Sequence, residues 1–119
     1  MNLSRLVDTV KQHPDYHRAG MILCHNGVVR STSRDGRKVS GLQITVNHNK
    51  LQKIVAANKQ TPGIIEILVE FNENLTLSVG DDVMLLVVAG DIRENVIRVL
   101  TNTLNAIKTT VTHKTEFFT

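Results

Sequence analysis

The sequence is poor in aromatic residues and cysteine: its 119 residues include three Phe, one Tyr, no Trp and the single cysteine Cys24. One cysteine cannot form an internal disulfide or a multi-cysteine metal site, and this usage is typical of a reducing compartment, so we expect a cytoplasmic protein. So few aromatic rings disfavour a base-stacking surface for single-stranded nucleic acid. No apolar run is long enough for a transmembrane helix, and the first residues do not resemble a secretory signal, so we expect no membrane partner.

The composition is that of a folded protein. Hydrophobic residues make up 41% of the chain and charged residues 21%, which excludes a disordered or low-complexity chain. A chain of this length can bury its own core, so we predict one domain over residues 1–119.

Charge is distributed unevenly along the chain. Residues 11–59 contain nine Lys or Arg and two acidic residues, whereas residues 60–91 contain six acidic residues and no Lys or Arg, within a net charge of +3. Such an asymmetry favours an anionic ligand or an acidic partner on the basic side, although clustered surface charges alone give the same pattern.

Hydrophobic periodicity predicts mixed helices and strands. We predict helices at 2–12, around 51–55 and from Asp91 to about 108, and strands at 20–29, 39–46, 64–71, 83–89 and 109–115. The first two strands are expected to form a hairpin around the basic loop 31–38. Residues 75–77 are expected to continue the strand that ends at Phe71, after a turn at Asn72–Asn74. Val83–Ala89 is apolar on both faces, which is typical of a buried central strand. This order predicts the α+β class.

The last helix carries the most informative candidate. Asp91 followed by Glu94 resembles a capping box, which would start a helix at Asp91. Leu100, Leu104 and Lys108 then share one side of that helix, so Lys108 extends the edge of the apolar stripe. A lysine placed there could act as a nucleophile or base, or simply complement the C-terminal helix dipole.

Other chemical motifs are scarce. The five histidines are scattered, and neither a His-Glu-x-x-His pattern nor a phosphate-binding glycine loop is present, so we expect neither a metal site nor a bound cofactor. Cys24 lies in the middle of a predicted strand, where a buried, unreactive thiol is the usual situation.

Several segments resemble the catalytic (large) subunit family of molybdopterin synthase. They are Gly20–Arg30, with a Gly-x-Val-Arg end; Val39–Leu42; Val79–Val83, which is similar to a Pro-Gly-Asp-x-x strand start; and Arg93 followed, at the family's spacing, by Lys108-Thr109. Each motif is weak alone, but their order and intervals extend over Ala19–Phe117, which is most of the chain.

The resemblance implies an α/β hammerhead fold and a homodimer. Each protomer would bind a small ubiquitin-like sulfur-carrier subunit through its C-terminal Gly-Gly, giving a heterotetramer. The carrier's thiocarboxylate would supply sulfur to cyclic pyranopterin monophosphate, a pterin phosphate, and so form molybdopterin.

The resemblance also implies roles for individual residues. Lys108 matches the family's catalytic lysine, and Lys114, after a one-residue gap, matches a second one. Arg30, Arg93 and Glu116 match substrate-binding positions of the family, with Arg93 reaching the substrate across the dimer. Arg37 and Lys38 are predicted to bind substrate as well, because the basic loop 31–38 that carries them lies near Arg30 and is expected to close over an anion. Fixed guanidinium groups suit a phosphate because they bind it through two hydrogen bonds.

Departures from the family pattern leave a second hypothesis open. Ile92 stands where the family has a histidine, and the segment from Val111 to Glu116 lacks the family's Pro and Trp. A non-catalytic paralogue that acts as a binding or regulatory module would show such changes. A third hypothesis, nucleic-acid binding by the basic loop, predicts an affinity that falls steeply with salt.

Overall fold

The computed structural model describes all 119 residues, Met1–Thr119. Its helices are α1 (Leu3–Lys11), α2 (His48–Lys59) and α3 (Arg93–Ala106), with a 3₁₀ turn at Tyr16–Arg18 and a π-helical turn at Ile107–Val111. The strands are β1 (Met21–Val28), β2 (Val39–Val46), β3 (Ile64–Phe71), β4 (Leu77–Ser78), β5 (Asp82–Gly90) and β6 (Thr112–Phe118). All strand pairings are antiparallel, and the predicted α+β class is confirmed.

The larger sheet has the order β1-β5-β3, with β5 in the centre. Residues 84–90 of β5 are all buried, as expected of a strand that is apolar on both faces. One face of the sheet packs against α2, α3 and the π-helical turn, and the other packs against α1 through Leu6 and Val10. β5 is therefore the buried central strand of the larger sheet.

The smaller sheet has the order β4-β2-β6 and a separate core of Val29, Val39, Leu42, Ile44 and Leu77. The predicted hairpin between β1 and β2 is therefore wrong, because β1 pairs with β5 while β2 pairs with β4 and β6. The prediction that residues 75–77 continue β3 is also wrong. Asn74 adopts a φ of 63° and its N–H donates to the carbonyl of Ile44, which turns the chain into the smaller sheet.

The start of α3 differs from the predicted capping box. The helix begins at Arg93 with Ile92 as its N-cap, because the Asp91 N–H donates to the carbonyl of Gly63 and keeps residue 91 attached to the sheet. The Asp91 carboxylate instead accepts from the Ile92 N–H at 2.7 Å and the Asn95 amide at 2.9 Å. The bond from Asn95, followed by that from Ile92, lowers the pKa of Asp91.

The predicted strand at 109–115 begins later than its β-branched residues suggest. Thr109 and Thr110 lie in the π-helical turn, where their hydroxyls donate to the carbonyls of Asn105 and Ala106 at 2.9 and 2.7 Å. These side-chain bonds satisfy carbonyls at the end of α3, so the helical path continues to Val111. Strand β6 starts at Thr112, directly after this turn. None of the helices combines the length and the apolar character needed to cross a membrane.

Candidate functional site

A pocket of about 370 Å³ lies where the two sheets meet. Its apolar lining comes from both sheets and consists of Val28, Leu42, Ile44, Phe71, Val83 and Met84. Its polar lining is rich in nitrogen and consists of His25, Arg34, Lys108, Thr112, His113 and Lys114. No acidic residue lines the pocket, so it is suited to an anionic group attached to a narrow, uncharged segment.

The two predicted catalytic lysines, Lys108 and Lys114, both line this pocket. Lys108 belongs to the π-helical turn and Lys114 to the start of β6, so the turn brings them to the same cavity. Lys108 is exposed, whereas Leu100 and Leu104 on the same side of the helix are half-buried. Lys108 therefore does not lie within the apolar stripe. Lys114 Nζ lies 3.9 Å from Glu116 Oε1, beyond hydrogen-bond distance, so its charge is only weakly compensated.

His25 contributes a buried nitrogen to the same pocket. It lies on β1, and its Nε2 is buried without a hydrogen-bond partner. Burial, and then the positive charge of Lys108, lower the pKa of the imidazole. The ring is therefore neutral at physiological pH and has one N–H donor and one lone pair.

Arg34 is the one residue of the basic loop 31–38 that lines the pocket. The loop is closed by a backbone bond from the Ser33 N–H to the carbonyl of Arg37, by a bond from the Arg37 N–H to the Ser33 hydroxyl, and by a bridge between Thr32 and Lys38. The Ser33 hydroxyl donates to Asp35, and this bond lowers the pKa of Asp35. These bonds define the turn from which the Arg34 side chain extends.

The other predicted substrate-binding residues lie away from the pocket lining. Arg30 Nε donates to the carbonyl of Thr32 at 2.8 Å. The Arg37 guanidinium carbon lies 3.6 Å from the centre of the Phe118 ring, and Lys38 pairs with the C-terminal end of the chain through its backbone. Glu116 is half-buried beside Lys114. Within one protomer the pocket thus brings together Lys108 and Lys114, but not Arg30, Arg37, Lys38 or Glu116.

Arg93 lies at the opposite end of α3 from Lys108. At the usual helical rise the two residues are about 22 Å apart. Arg93 is exposed and its nearest charged partner is the neighbouring Glu94, at 3.3 Å. A second protomer would be needed to place an arginine from this position near the pocket.

A larger but shallower groove of about 560 Å³ adjoins the pocket along β2 and the π-helical turn. It is lined mainly by Thr and Asn side chains, with His48 and His113 and no Lys or Arg. His48 is already paired with Glu73 at 2.8 Å. Because this groove offers little charge and little apolar enclosure, the smaller cationic pocket is the better candidate site.

Cys24 is exposed on β1, so the expectation of a buried thiol is wrong. β1 is an edge strand, and α1 leaves this part of its outer face uncovered. Partial burial raises the pKa of the thiol, which keeps it protonated and weakly nucleophilic. No group of three or more His, Cys, Asp or Glu side chains is placed to hold a metal ion.

Sequence reasoning missed two pocket residues, His25 and His113, and treated Arg34 only as one of the charges of the basic loop 31–38. His25 and Gly27 alternate on β1 and so share a face, which could have been read from the sequence. The part played by Arg34 and His113 depends on how the loop and β6 meet, which no local pattern shows.

A comparison with protein families shows which family the chain belongs to. The model of the family described as MoaE protein matches residues 1–110. The chain belongs to the MoaE family. Membership confirms the resemblance seen in the sequence and supports a role in molybdenum cofactor biosynthesis. No curated protein matches the chain.

Solved structures of MoaE-type proteins have the same fold. Molybdopterin synthase from Staphylococcus aureus matches with a TM-score of 0.73 and 22% identity, over 86% of this chain and 77% of that one. Molybdopterin cofactor biosynthesis protein E from Burkholderia multivorans matches with a TM-score of 0.79 and 19% identity, over 100% of this chain and 82% of that one. A chain from the Helicobacter pylori complex of subunits 1 and 2 of molybdopterin-converting factor matches with a TM-score of 0.73 and 16% identity, over 99% of this chain and 80% of that one.

Proposed function

We propose that this MoaE-family chain is the catalytic subunit of a molybdopterin synthase. In this proposal it transfers sulfur from the thiocarboxylated C-terminus of a small carrier subunit to cyclic pyranopterin monophosphate, in the cytoplasm. The observation that carries the proposal is the presence of Lys108 and Lys114 in one pocket without an acidic residue.

The shape and charge of the pocket suit the end of a carrier protein. A Gly-Gly segment has no side chains and can enter a narrow cavity with apolar walls. The ammonium groups of Lys108 and Lys114 would neutralise the terminal thiocarboxylate while its sulfur keeps a nucleophilic lone pair. Fixed cations in a partly dry pocket would also stabilise negative charge that develops on the pterin during the transfer.

The substrate phosphate requires a further cation. Arg34 supplies one from the same protomer, because it lines the pocket. Arg30 and Glu116 stay predicted ligands on the basis of the family resemblance, and Arg37 and Lys38 on the basis of the positive charge of the loop 31–38.

A homodimer would place Arg93 at the pocket of a second protomer. Two exposed apolar side chains, Ile92 at 53% and Ile97 at 48% exposure, accompany Arg93 at the start of α3. Apolar exposure beside a functional arginine favours a protein contact at this end of the helix. We therefore propose a dimer with shared pockets, and a heterotetramer when two carriers are bound.

The second candidate is a non-catalytic paralogue with the same fold. It is favoured by Ile92, which is exposed where the family resemblance places a histidine. Such a protein would keep the carrier-binding pocket without sulfur transfer.

The experiment that tests the proposal is direct binding of a small carrier protein ending in Gly-Gly. We expect binding to the wild-type chain that is lost when the carrier's last two glycines are deleted. Binding without turnover would favour the non-catalytic paralogue, and binding unaffected by the deletion would contradict the proposed pocket.

A further inference from the structure

His25 lines the pocket, and the proposed function gives its imidazole no role. Its Nε2 is buried and has no hydrogen-bond partner in the protein. A buried polar atom without a partner costs folding free energy, so a native structure that retains one does so for a specific reason, such as a catalytic role or a bound water, ion or ligand.

Gly27 lies directly beside this nitrogen. Both residues line the pocket and lie on the same face of β1. A Cβ atom at position 27 would lie 3.4 Å from His25 Nε2 and 3.3 Å from Met84 Cγ, which is tight for both neighbours. A side chain at position 27 would therefore crowd the edge of the ring that carries Nε2, and glycine avoids this contact.

The charges around His25 determine which ligand fits. Lys108 of the π-helical turn, Lys114 of β6 and Arg34 of the basic loop line the same pocket, with His113 as the other titratable group. No carboxylate is among the lining residues, so a bound group must supply the negative charge. An oxyanion beside these cations is a hydrogen-bond acceptor, and the neutral imidazole can meet it with an N–H donor.

We propose that His25 is a ligand-binding residue of this pocket, donating a hydrogen bond from Nε2–H to the oxyanion that Lys108 neutralises. The chemical class of the ligand is a carboxylate or a phosphate. The carboxylate would be the carrier's C-terminus, and the phosphate would be that of the pterin; the naming of these two sources rests on the proposed function. The hydrogen bond itself requires only the pocket.

The test uses the full chain and two probes. The first is a synthetic peptide ending in Gly-Gly with a free C-terminal carboxylate, compared with the same peptide amidated at its C-terminus. The second is inorganic phosphate. Affinities are measured for wild type, His25→Phe, which keeps a ring but removes the nitrogen, and His25→Gln, which keeps an amide N–H close to the Nε2 position. His17→Phe, at an exposed residue away from the pocket, is the matched control.

We expect His25→Phe to weaken binding of the free carboxylate or of phosphate by about tenfold or more, since a hydrogen bond to a charged group is lost. His25→Gln should recover most of that affinity, and His17→Phe should match wild type. In ¹⁵N spectra of the histidine side chains, His25 Nε2 should become a protonated nitrogen protected from solvent on addition of the binding probe, and not with the amidated peptide.

The outcomes separate this inference from the proposed function. Binding of either probe that is equal in wild type and His25→Phe would overturn the role of His25 while leaving the carrier pocket in place. His25-dependent binding of phosphate without binding of the peptide would support the role of His25 and count against the carrier. If neither probe binds, the pocket is not an oxyanion site and the inference is wrong.

Discussion

Arg34 and Arg37 belong to the same basic loop, yet their side chains have different surroundings. Arg34 lines the pocket, whereas Arg37 stacks on the ring of Phe118. The sequence predicted that the loop carries positive charge, but composition alone could not distinguish the two arginines, because their positions depend on a turn closed by Ser33. Cys24 shows the same limit: its strand was predictable, whereas its exposure depends on which strand lies at the edge of the sheet.

These surroundings predict a difference between the two arginines in substrate binding. Arg34→Ala should weaken binding of cyclic pyranopterin monophosphate by about tenfold, because a guanidinium–phosphate contact is lost from a partly enclosed site. Arg37→Ala is the matched control from the same loop and should change the affinity by less than about threefold, since its charge is solvated. Isothermal titration at fixed ionic strength measures both. A larger loss for Arg37→Ala would instead favour the prediction from the sequence that Arg37 binds substrate.

At the scale of elements, local patterns identified the central strand and the long helix but not the strand pairing. Alternating apolar residues predicted β3 with its observed bounds, Ile64–Phe71. The hairpin prediction failed because the apolar strand β5 takes β1 as its neighbour, a contact between distant parts of the chain. The strand prediction near Thr109 failed because threonine hydroxyls extended the helix, which strand propensity does not take into account.

The π-helical turn at Ile107–Val111 places Lys108 where its removal should not affect folding. Ile107 and Val111 are buried in the main core, whereas Lys108 is exposed between them. Lys108→Ala removes a favourable contact with the helix dipole and some packing of the lysine stem, so we expect a loss of about 1 kcal/mol or less in the free energy of unfolding. Urea unfolding of wild type and variant checks this, and a loss of several kcal/mol would mean that Lys108 is structural.

The whole molecule is more elongated than a compact chain of its length. Its radius of gyration is 15.2 Å, with extents of 48 × 25 × 23 Å, whereas about 13.5 Å is typical of a compact domain of this size. The acidic segment is partly neutralised within the chain, since Glu66 pairs with Lys59 at 2.8 Å and Glu73 with His48. The cations around the pocket lack such acidic partners in its lining, which leaves a positive site at the junction of the sheets.

A pocket shared between protomers predicts complementation between two inactive variants. Arg93→Ala removes the arginine given to the partner, and Lys108→Ala removes the lysine of the protomer's own pocket. In a hybrid dimer one pocket keeps both residues, so an equal, freely exchanging mixture should reach about a quarter of wild-type turnover. Light scattering at micromolar concentration should show dimers. A monomer, or a mixture no more active than either variant, would contradict the shared pocket.

The central claim is that sulfur transfer requires Lys108, and the rate of molybdopterin formation tests it most directly. Cyclic pyranopterin monophosphate is mixed with thiocarboxylated carrier and with wild type, Lys108→Ala, Lys114→Ala or, as a control on the exposed surface of α2, Lys53→Ala. We predict that Lys108→Ala lowers the rate of molybdopterin formation at least about 100-fold, which is the effect of removing one preorganised charged group. Lys114→Ala should lower the rate by a smaller factor, and Lys53→Ala should leave it unchanged. Wild-type turnover that Lys108→Ala leaves unchanged would contradict the account.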